Sequence, residues 1–158
     1  MKKLLIVFGI SLISVISAHA QTEKGTLLLG GDATFSSTDG NSQFVTRPSI
    51  GVFVANNFAV GAQAYLFFSD PDNSWRVGPF ARYYFTKSTK GKPFVAARAG
   101  IGGIEKEDAK VGFGATAGYA IFLNRSIALE LGVHYDYLDH MDAISIGAGF
   151  QIHLKKQK

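Results

Sequence analysis

Residues 126–138 read SIALELGVHYDYL, and their alternation decides the fold. Ile127, Leu129, Leu131, Val133, Tyr135 and Tyr137 fall on one face, and Ala128, Glu130, Gly132, His134 and Asp136 on the other. A strict period of two marks a β-strand with an apolar and a polar side. The run is long for a soluble strand, which averages about 5–6 residues. It suits the roughly 9–11 residues that a tilted strand needs to cross a bilayer. In hydrocarbon every backbone N–H and C=O must be paired, and only a closed sheet has no unpaired edge. Other stretches repeat the pattern along the chain. The expected fold is all-β: an eight-stranded antiparallel up-and-down transmembrane β-barrel, with lipid outside and polar side chains inside.

The strands expected from alternation and turn signals span 25–35, 44–54, 58–68, 75–85, 94–104, 110–122, 127–138 and 143–154. Asn56-Asn57 and Asn124-Arg125 are tight connectors, because asparagine tolerates positive φ. Residues 86–93 form a basic connector on the same side, with Lys87, Lys90 and Lys92, and the chain ends there on Lys155, Lys156 and Lys158. The opposite connectors are acidic: Asp39, then Asp70 and Asp72, then Glu105, Glu107 and Asp108, then Asp139 and Asp142. The barrel therefore has a basic end and an acidic end. Solvated turns are a sufficient account of the charges themselves.

Residues 1–20 stand apart from the barrel of residues 21–158. Met1-Lys2-Lys3 is a basic start, residues 4–16 are apolar, and Ala18-His19-Ala20 fits a small-x-small cleavage site. This is the pattern of an export signal peptide, and its apolar core is too short for an ordinary spanning helix. Its removal takes away Lys2 and Lys3 and lowers the formal charge from +4 to +2. No basic stripe interleaved with aromatics points to nucleic acid. The chain has no cysteine, which excludes disulfides, thiolate metal sites, a thiol nucleophile and a lipoprotein anchor.

Alternation alone does not say which face is inside. A lipocalin-like soluble barrel keeps its apolar face within, and a membrane barrel inverts this. The polar faces are mostly small: Gly112, Gly114, Thr116, Gly118 and Ala120 in strand six, and Ser145, Gly147, Gly149, Gln151 and His153 in strand eight. Small residues suit the crowded interior of a narrow barrel. The opposite faces carry no charge and would leave a large apolar patch in water. Aromatics gather near strand ends, with Phe35, Phe68, Trp75 and Tyr137 toward the acidic end and Phe58, Phe85, Tyr119 and Phe122 toward the basic end. Two such girdles fit a bilayer's two interfaces.

Carrying the parity through every strand names the inward charges. They are Asp32, Glu130 and Asp136, with Arg47, Arg76, Arg82, Arg98 and Lys110; Gln63, Tyr65, Tyr84, Thr116 and His134 add hydrogen-bonding groups. Unpaired charges are costly in an eight-stranded lumen just wide enough for side chains, so these should pair. Arginine suits this, since its planar fork grips a carboxylate with two hydrogen bonds. The expectation is an interlocked core that plugs the barrel; a narrow polar conduit through the same residues is the rival.

The layout resembles the small outer-membrane β-barrels of Gram-negative bacteria, the OmpA/OmpX-like type, and looks closest to the porin-like barrel proteins of Bacteroidetes. The stretches that carry the likeness are GVFVANNFAVGAQAYLFF (51–68), VGPFARYYF (77–85), KPFVAARAGIG (92–102) and GYAIFLNRSIALELGVHYDYL (118–138), and it covers nearly all of residues 21–158. The resemblance implies a monomer in the cell outer membrane, bounded by lipopolysaccharide and phospholipid. It implies no cofactor, and periplasmic chaperones and insertion machinery during biogenesis. No peptidoglycan-binding domain is seen to follow the barrel, and three features depart from the pattern: the chain does not end on an aromatic, the outer connectors are short, and two prolines interrupt strands. Pro48 and Pro79 fall inside strands and should each mark a bulge.

Clusters such as AGIGG and GAGF lack the strand–helix setting of a phosphate loop. His134 and His140 have no third ligand at metal spacing. His134, Asp136, His140 and Ser145 could form an acid–base site like that of lipid A-modifying barrels, but parity puts His134 in the polar core. The reading is a non-enzymatic barrel with a structural or interaction role and short acidic outer loops. A small-solute or ion channel is the alternative, ahead of a lipid A-modifying enzyme or a soluble lipocalin-like binding barrel.

Overall fold

The computed structural model describes residues 22–38, 41–69, 73–85, 88–104, 108–138 and 141–155. Residues 1–20, the acidic residues Asp39, Asp70, Asp72, Glu105, Glu107 and Asp139, and Lys87, His140, Lys156 and Lys158 lie outside them. Eight strands run in chain order: β1 Thr26–Thr38, β2 Asn41–Ala55, β3 Phe58–Ser69, β4 Asn73–Tyr84, β5 Gly91–Ile104, β6 Lys110–Phe122, β7 Ile127–Leu138 and β8 Met141–Lys155. Each pairs antiparallel with the next, and β1 pairs with β8, from Thr26 opposite Lys155 to Ala33 opposite Ala148. The sheet is thus a closed barrel without an edge.

The register tilts the strands. Leu27 leads through its partners to Val52, Val60, Ala81, Ala97, Ala115, Tyr135 and Ile144. Ile144 stands four positions before Ala148, the partner of Ala33, so the circuit returns to β1 about ten residues beyond its start. A stagger of this size with eight strands corresponds to a tilt of roughly 40–45°.

Alternation sorts side chains as a membrane barrel requires. More large apolar side chains are exposed than buried, including Ile144 at 74%, Ile146 at 73% and Leu131 at 57% relative exposure, while Arg47, Glu130 and Asp136 are buried. The apolar face is outside. Phe35, Phe44, Phe68, Trp75 and Phe113 are exposed toward the acidic end, and Tyr83, Phe85, Tyr119 and Leu123 toward the basic end.

Several positions differ from the sequence-based reading. Phe122 is not part of the outer girdle; it shares the inward parity of Thr116 and Ala120 and is buried in the lumen. Lys92 is not in a connector, because β5 begins at Gly91; it faces inward and is buried, its Nζ 6.0 Å from the centre of the Phe122 ring. Neither proline marks a bulge. Thr46 opposite Leu66 and Ser49 opposite Gln63 keep one register across Pro48, as Val77 opposite Ile101 and Phe80 opposite Arg98 do across Pro79. The shift in β2 lies between Phe53 and Ala55 instead.

Each proline keeps a partner on one side, Gly31 for Pro48 and Ala62 for Pro79, while the ladder toward β3 and β5 respectively skips it. A missing N–H removes pairing toward one neighbour only, so the strand need not gain a residue. Beside Pro79, a Cβ on Gly78 would overlap the Ala99 carbonyl oxygen and Gly100 Cα, so glycine permits a close approach of β4 and β5 there.

The turns at the basic end are side-chain locked. Asn57 takes φ 66°, as an asparagine in a tight turn can. Asn124 instead accepts 2.8 Å bonds at Oδ1 from the backbone N–H groups of Ser126 and Ile127. The segment before β1 closes over the β2–β3 turn: Asn57 N–H donates to the Thr22 carbonyl at 2.7 Å, and Lys24 N–H to Asn56 Oδ1 at 3.0 Å.

If the outward face meets lipid, Leu131→Arg in the middle of β7 should cost about 2–4 kcal/mol. Reversible denaturant unfolding in phospholipid vesicles measures it. A neutral outcome would mean that this face does not lie in hydrocarbon.

Candidate functional site

The lumen has two layers. Nearer the basic end it is aromatic: Phe53, Tyr84, Phe94, Phe122 and His153 meet with ring centroids 5.1–6.1 Å apart, and Leu28 and Phe80 complete the cluster. Nearer the acidic end it is a network of charges. The sequence reading placed arginines and carboxylates inside and missed the aromatic layer. Its signal was parity: Phe53 lies an even number of residues from Arg47, Phe80 from Arg82, Phe94 from Arg98 and Phe122 from Thr116. The apolar runs around these residues hide the alternation.

Asp136, on β7, is the hub of the polar layer. Its Oδ1 accepts from Arg98 Nε at 3.1 Å, from Arg98 Nη2 at 2.9 Å and from Arg76 Nη2. Its Oδ2 accepts from Arg47 Nη2 at 3.2 Å. A carboxylate offers about four acceptor positions. Three guanidinium groups therefore fill this one. Arg76 also donates to the carbonyls of Phe113 and Tyr137, and Arg98 to that of Tyr135.

Arg47 bridges to the second carboxylate. Its Nη1 donates to Asp32 Oδ1 at 2.7 Å, and its Nη2 also donates to Ser145 Oγ at 3.1 Å. Thr116 Oγ1 accepts from Arg98 Nη1 at 2.6 Å and lies 2.9 Å from His134 Nδ1. The hydroxyl proton then points at Nδ1, which fits the tautomer protonated at Nε2; that nitrogen lies 3.5 Å from Asp32 Oδ1. Asp32, Arg47, Asp136, Arg98, Thr116 and His134 thus form one chain of contacts, and His134 Nε2 at its end makes no hydrogen bond. Tyr65 presents its ring to Arg47 and Arg76, with guanidinium carbons 5.3 and 5.0 Å from its centre. Every strand from β1 to β8 contributes a residue to this layer.

A second contact joins the layers. Arg82 Nη1 donates to both oxygens of Glu130 at 2.9 and 2.8 Å, and Tyr84 Oη donates to Glu130 Oε1 at 3.0 Å. The Arg82 guanidinium lies over the Phe94 ring at 4.6 Å. Of the nine residues expected in the interior network, eight meet in these two groups: Asp32, Arg47, Arg76, Arg98, His134 and Asp136 in the hub, Arg82 and Glu130 below it. Lys110, the ninth, is the first residue of β6 and lies exposed at the mouth, where the lumen ends.

Two glycines make room for the charges. A Cβ on Gly114 would sit 2.7 Å from both Arg98 Nε and Asp136 Oδ1, and one on Gly147 would sit 2.9 Å from His134 Nε2 and 3.3 Å from Asp32 Oδ1. The small residues read from the sequence as lumen filling thus provide the space in which the ion pairs form. The grouping of His134 with Ser145 for acid–base work, which the sequence reading set aside, is not what the polar contacts show. Ser145 Oγ accepts from Arg47, and His134 faces Thr116 and Asp32. Among the described residues no group of three acidic or histidine side chains is arranged to hold a metal ion.

Neither a family model nor a curated protein sequence matches the chain. Several solved structures share its fold, among them the following. The N-terminal β-barrel domain of Pseudomonas aeruginosa OprF superimposes with a TM-score of 0.67 at 13% identity, covering 83% of this chain and 98% of that one. Neisserial surface protein A (NspA) gives 0.61 at 18% identity, covering 80% and 94%. The outer membrane protein OprG from Pseudomonas aeruginosa gives 0.59 at 10% identity, covering 89% and 100%. The chain has the eight-stranded fold of outer-membrane barrels.

Asp136→Ala should strand Arg76 and Arg98, leave Arg47 with Asp32 alone and cost roughly 3–5 kcal/mol, as should Glu130→Ala, which strands Arg82. Unfolding titrations in lipid or detergent read both. Gly114→Val should be comparably harmful by wedging Arg98 from Asp136, whereas outward Ala115→Val should be near neutral.

Proposed function

We propose that the protein is a non-enzymatic outer-membrane barrel whose lumen is a structural plug and whose outer rim carries short acidic connectors. The observation that carries this reading is the double filling of the lumen. An aromatic layer from β2, β4, β5, β6 and β8, joined by Leu28 of β1, lies beneath a charge network that engages all eight strands. A path for ions would have to part Phe53, Tyr84, Phe94 and Phe122 and break the pairing of Asp136. A catalytic role for His134 would need a free nucleophile and room for a substrate. Instead the Thr116 hydroxyl is held by Arg98 and His134, and both Thr116 and His134 are buried.

In this reading residues 1–20 direct export and are removed. Chaperones carry the barrel across the periplasm, and insertion machinery places it, as a monomer, among lipopolysaccharide and phospholipid. The termini and tight turns face the periplasm, as in the barrels it resembles in fold, so the acidic connectors face out.

The test is fractionation with gel mobility and planar-bilayer recording. The protein should enter the outer-membrane fraction, migrate differently when boiled and unboiled, and conduct no ions. It should leave the lipid A mass spectrum unchanged when overproduced. The triple substitution Phe53→Ala, Phe94→Ala and Phe122→Ala should still not conduct, because the Asp136 network continues to fill the lumen, provided its unboiled band shows that it folds. Conductance by the unaltered protein would favour the channel instead.

A further inference from the structure

We infer that the basic end of the barrel docks against anionic phospholipid headgroups in the leaflet that surrounds it; this rests on the membrane placement proposed above. The rim at that end carries Lys24, Lys90, Arg125 and Lys155, all exposed; Lys155 has the inward parity of Gln151 and His153 but lies at the mouth, where β8 ends. The one acidic residue there among the described residues is Glu23, which pairs with Lys155. The excess is three cations. They belong to separate connections: Lys24 and Lys155 flank the β1–β8 seam, Lys90 precedes β5, and Arg125 lies in the β6–β7 turn.

Their height is set by the apolar wall. Phe122 N–H donates to the Lys90 carbonyl at 2.8 Å, beside outward Ile121. Arg125 follows the exposed Leu123 by two residues, and Lys155 directly follows Leu154. Exposed Tyr83, Phe85 and Tyr119 mark where hydrocarbon gives way to headgroups. The cations stand just beyond that line, where phosphodiesters lie. Each lysine or arginine near an anionic surface is attracted to it within a Debye length. Lys92 is not part of this surface, since it is buried in the lumen. At the opposite mouth the described exposed charges are Asp108, Lys110 and Asp142, which leaves no cationic excess.

The experiment uses the full barrel in phosphatidylcholine vesicles containing phosphatidylglycerol, with spin-labelled forms of each lipid as probes. Its immobilised shell should favour phosphatidylglycerol over phosphatidylcholine by about threefold or more. High salt should abolish the preference, and so should the combined Lys24→Gln, Lys90→Gln, Arg125→Gln and Lys155→Gln variant. Asp108→Asn with Asp142→Asn should leave it intact. Equal occupancy by the two lipids, or a preference that survives the fourfold variant, would overturn the inference. So would binding of soluble polyglutamate by these four residues without any headgroup preference, which would indicate an acidic polymer as partner. An unboiled gel band run in parallel separates the two readings: a barrel that never inserts defeats the membrane placement, and one that inserts without lipid preference defeats only this docking surface.

Discussion

A single carboxylate shared by three arginines organises this barrel. Eight strands enclose a lumen too narrow for bulk water and too wide to stay empty, so side chains must fill it. Filling it with charge is tolerable only where opposite charges meet, because an unpaired ion there loses its hydration without return. Asp136 meets that condition for Arg47, Arg76 and Arg98 together, using both oxygens. Those arginines come from β2, β4 and β5, and the hub from β7. The contacts thus run across the barrel, where backbone bonding reaches only neighbours. Cross-lumen pairing selects one register and one cross-section from the many that strand alternation alone would permit.

The two lumen layers solve different problems. The aromatic layer resembles an ordinary core, with dispersion between close rings and few polar groups among them, such as Tyr84, Lys92 and His153. The charged layer demands directional partners and space for them, and Gly114 and Gly147 supply that space. Arg82 with Glu130 is the joint, its charge facing Glu130 while its flat guanidinium rests on Phe94. A guanidinium has both an in-plane hydrogen-bonding edge and a stacking face, whereas an ammonium has only the first. That difference is the physical reason to find arginine at this boundary.

Much of this was legible in the chain. Residues 127–138 alternate cleanly, and β7 has those limits. The inward charges followed from parity, because a period of two leaves each residue only two choices. What parity cannot supply is height and partner. It put Lys110 inside by face, though its place at the start of β6 leaves it at the rim. It could not say that Asp136 rather than Glu130 gathers three arginines, since that depends on the stagger accumulated around the whole circuit. The aromatic layer was obscured by neighbouring apolar residues such as Val52 and Val54 around Phe53. The prolines were misread because a missing N–H was taken to need an extra residue, when a barrel strand can drop its bonds on one side and keep its register on the other.

Identities of 10–18% with structures of the same fold follow from what each surface asks of its residues. Hydrocarbon asks only that outward positions be apolar, and Val, Ile, Leu, Ala and Phe serve almost equally. The closed ladder asks only for strands long enough and turns short enough. Neither requirement fixes a residue, so sequences drift while the barrel stays. The interior is different, because an arginine moved by one residue faces lipid and one moved by two meets another partner. The residues most particular to this chain are therefore the ones that face the axis, and the outer surface is particular only where it leaves hydrocarbon. At that line charge begins to matter again, and the two ends of this barrel differ there in sign.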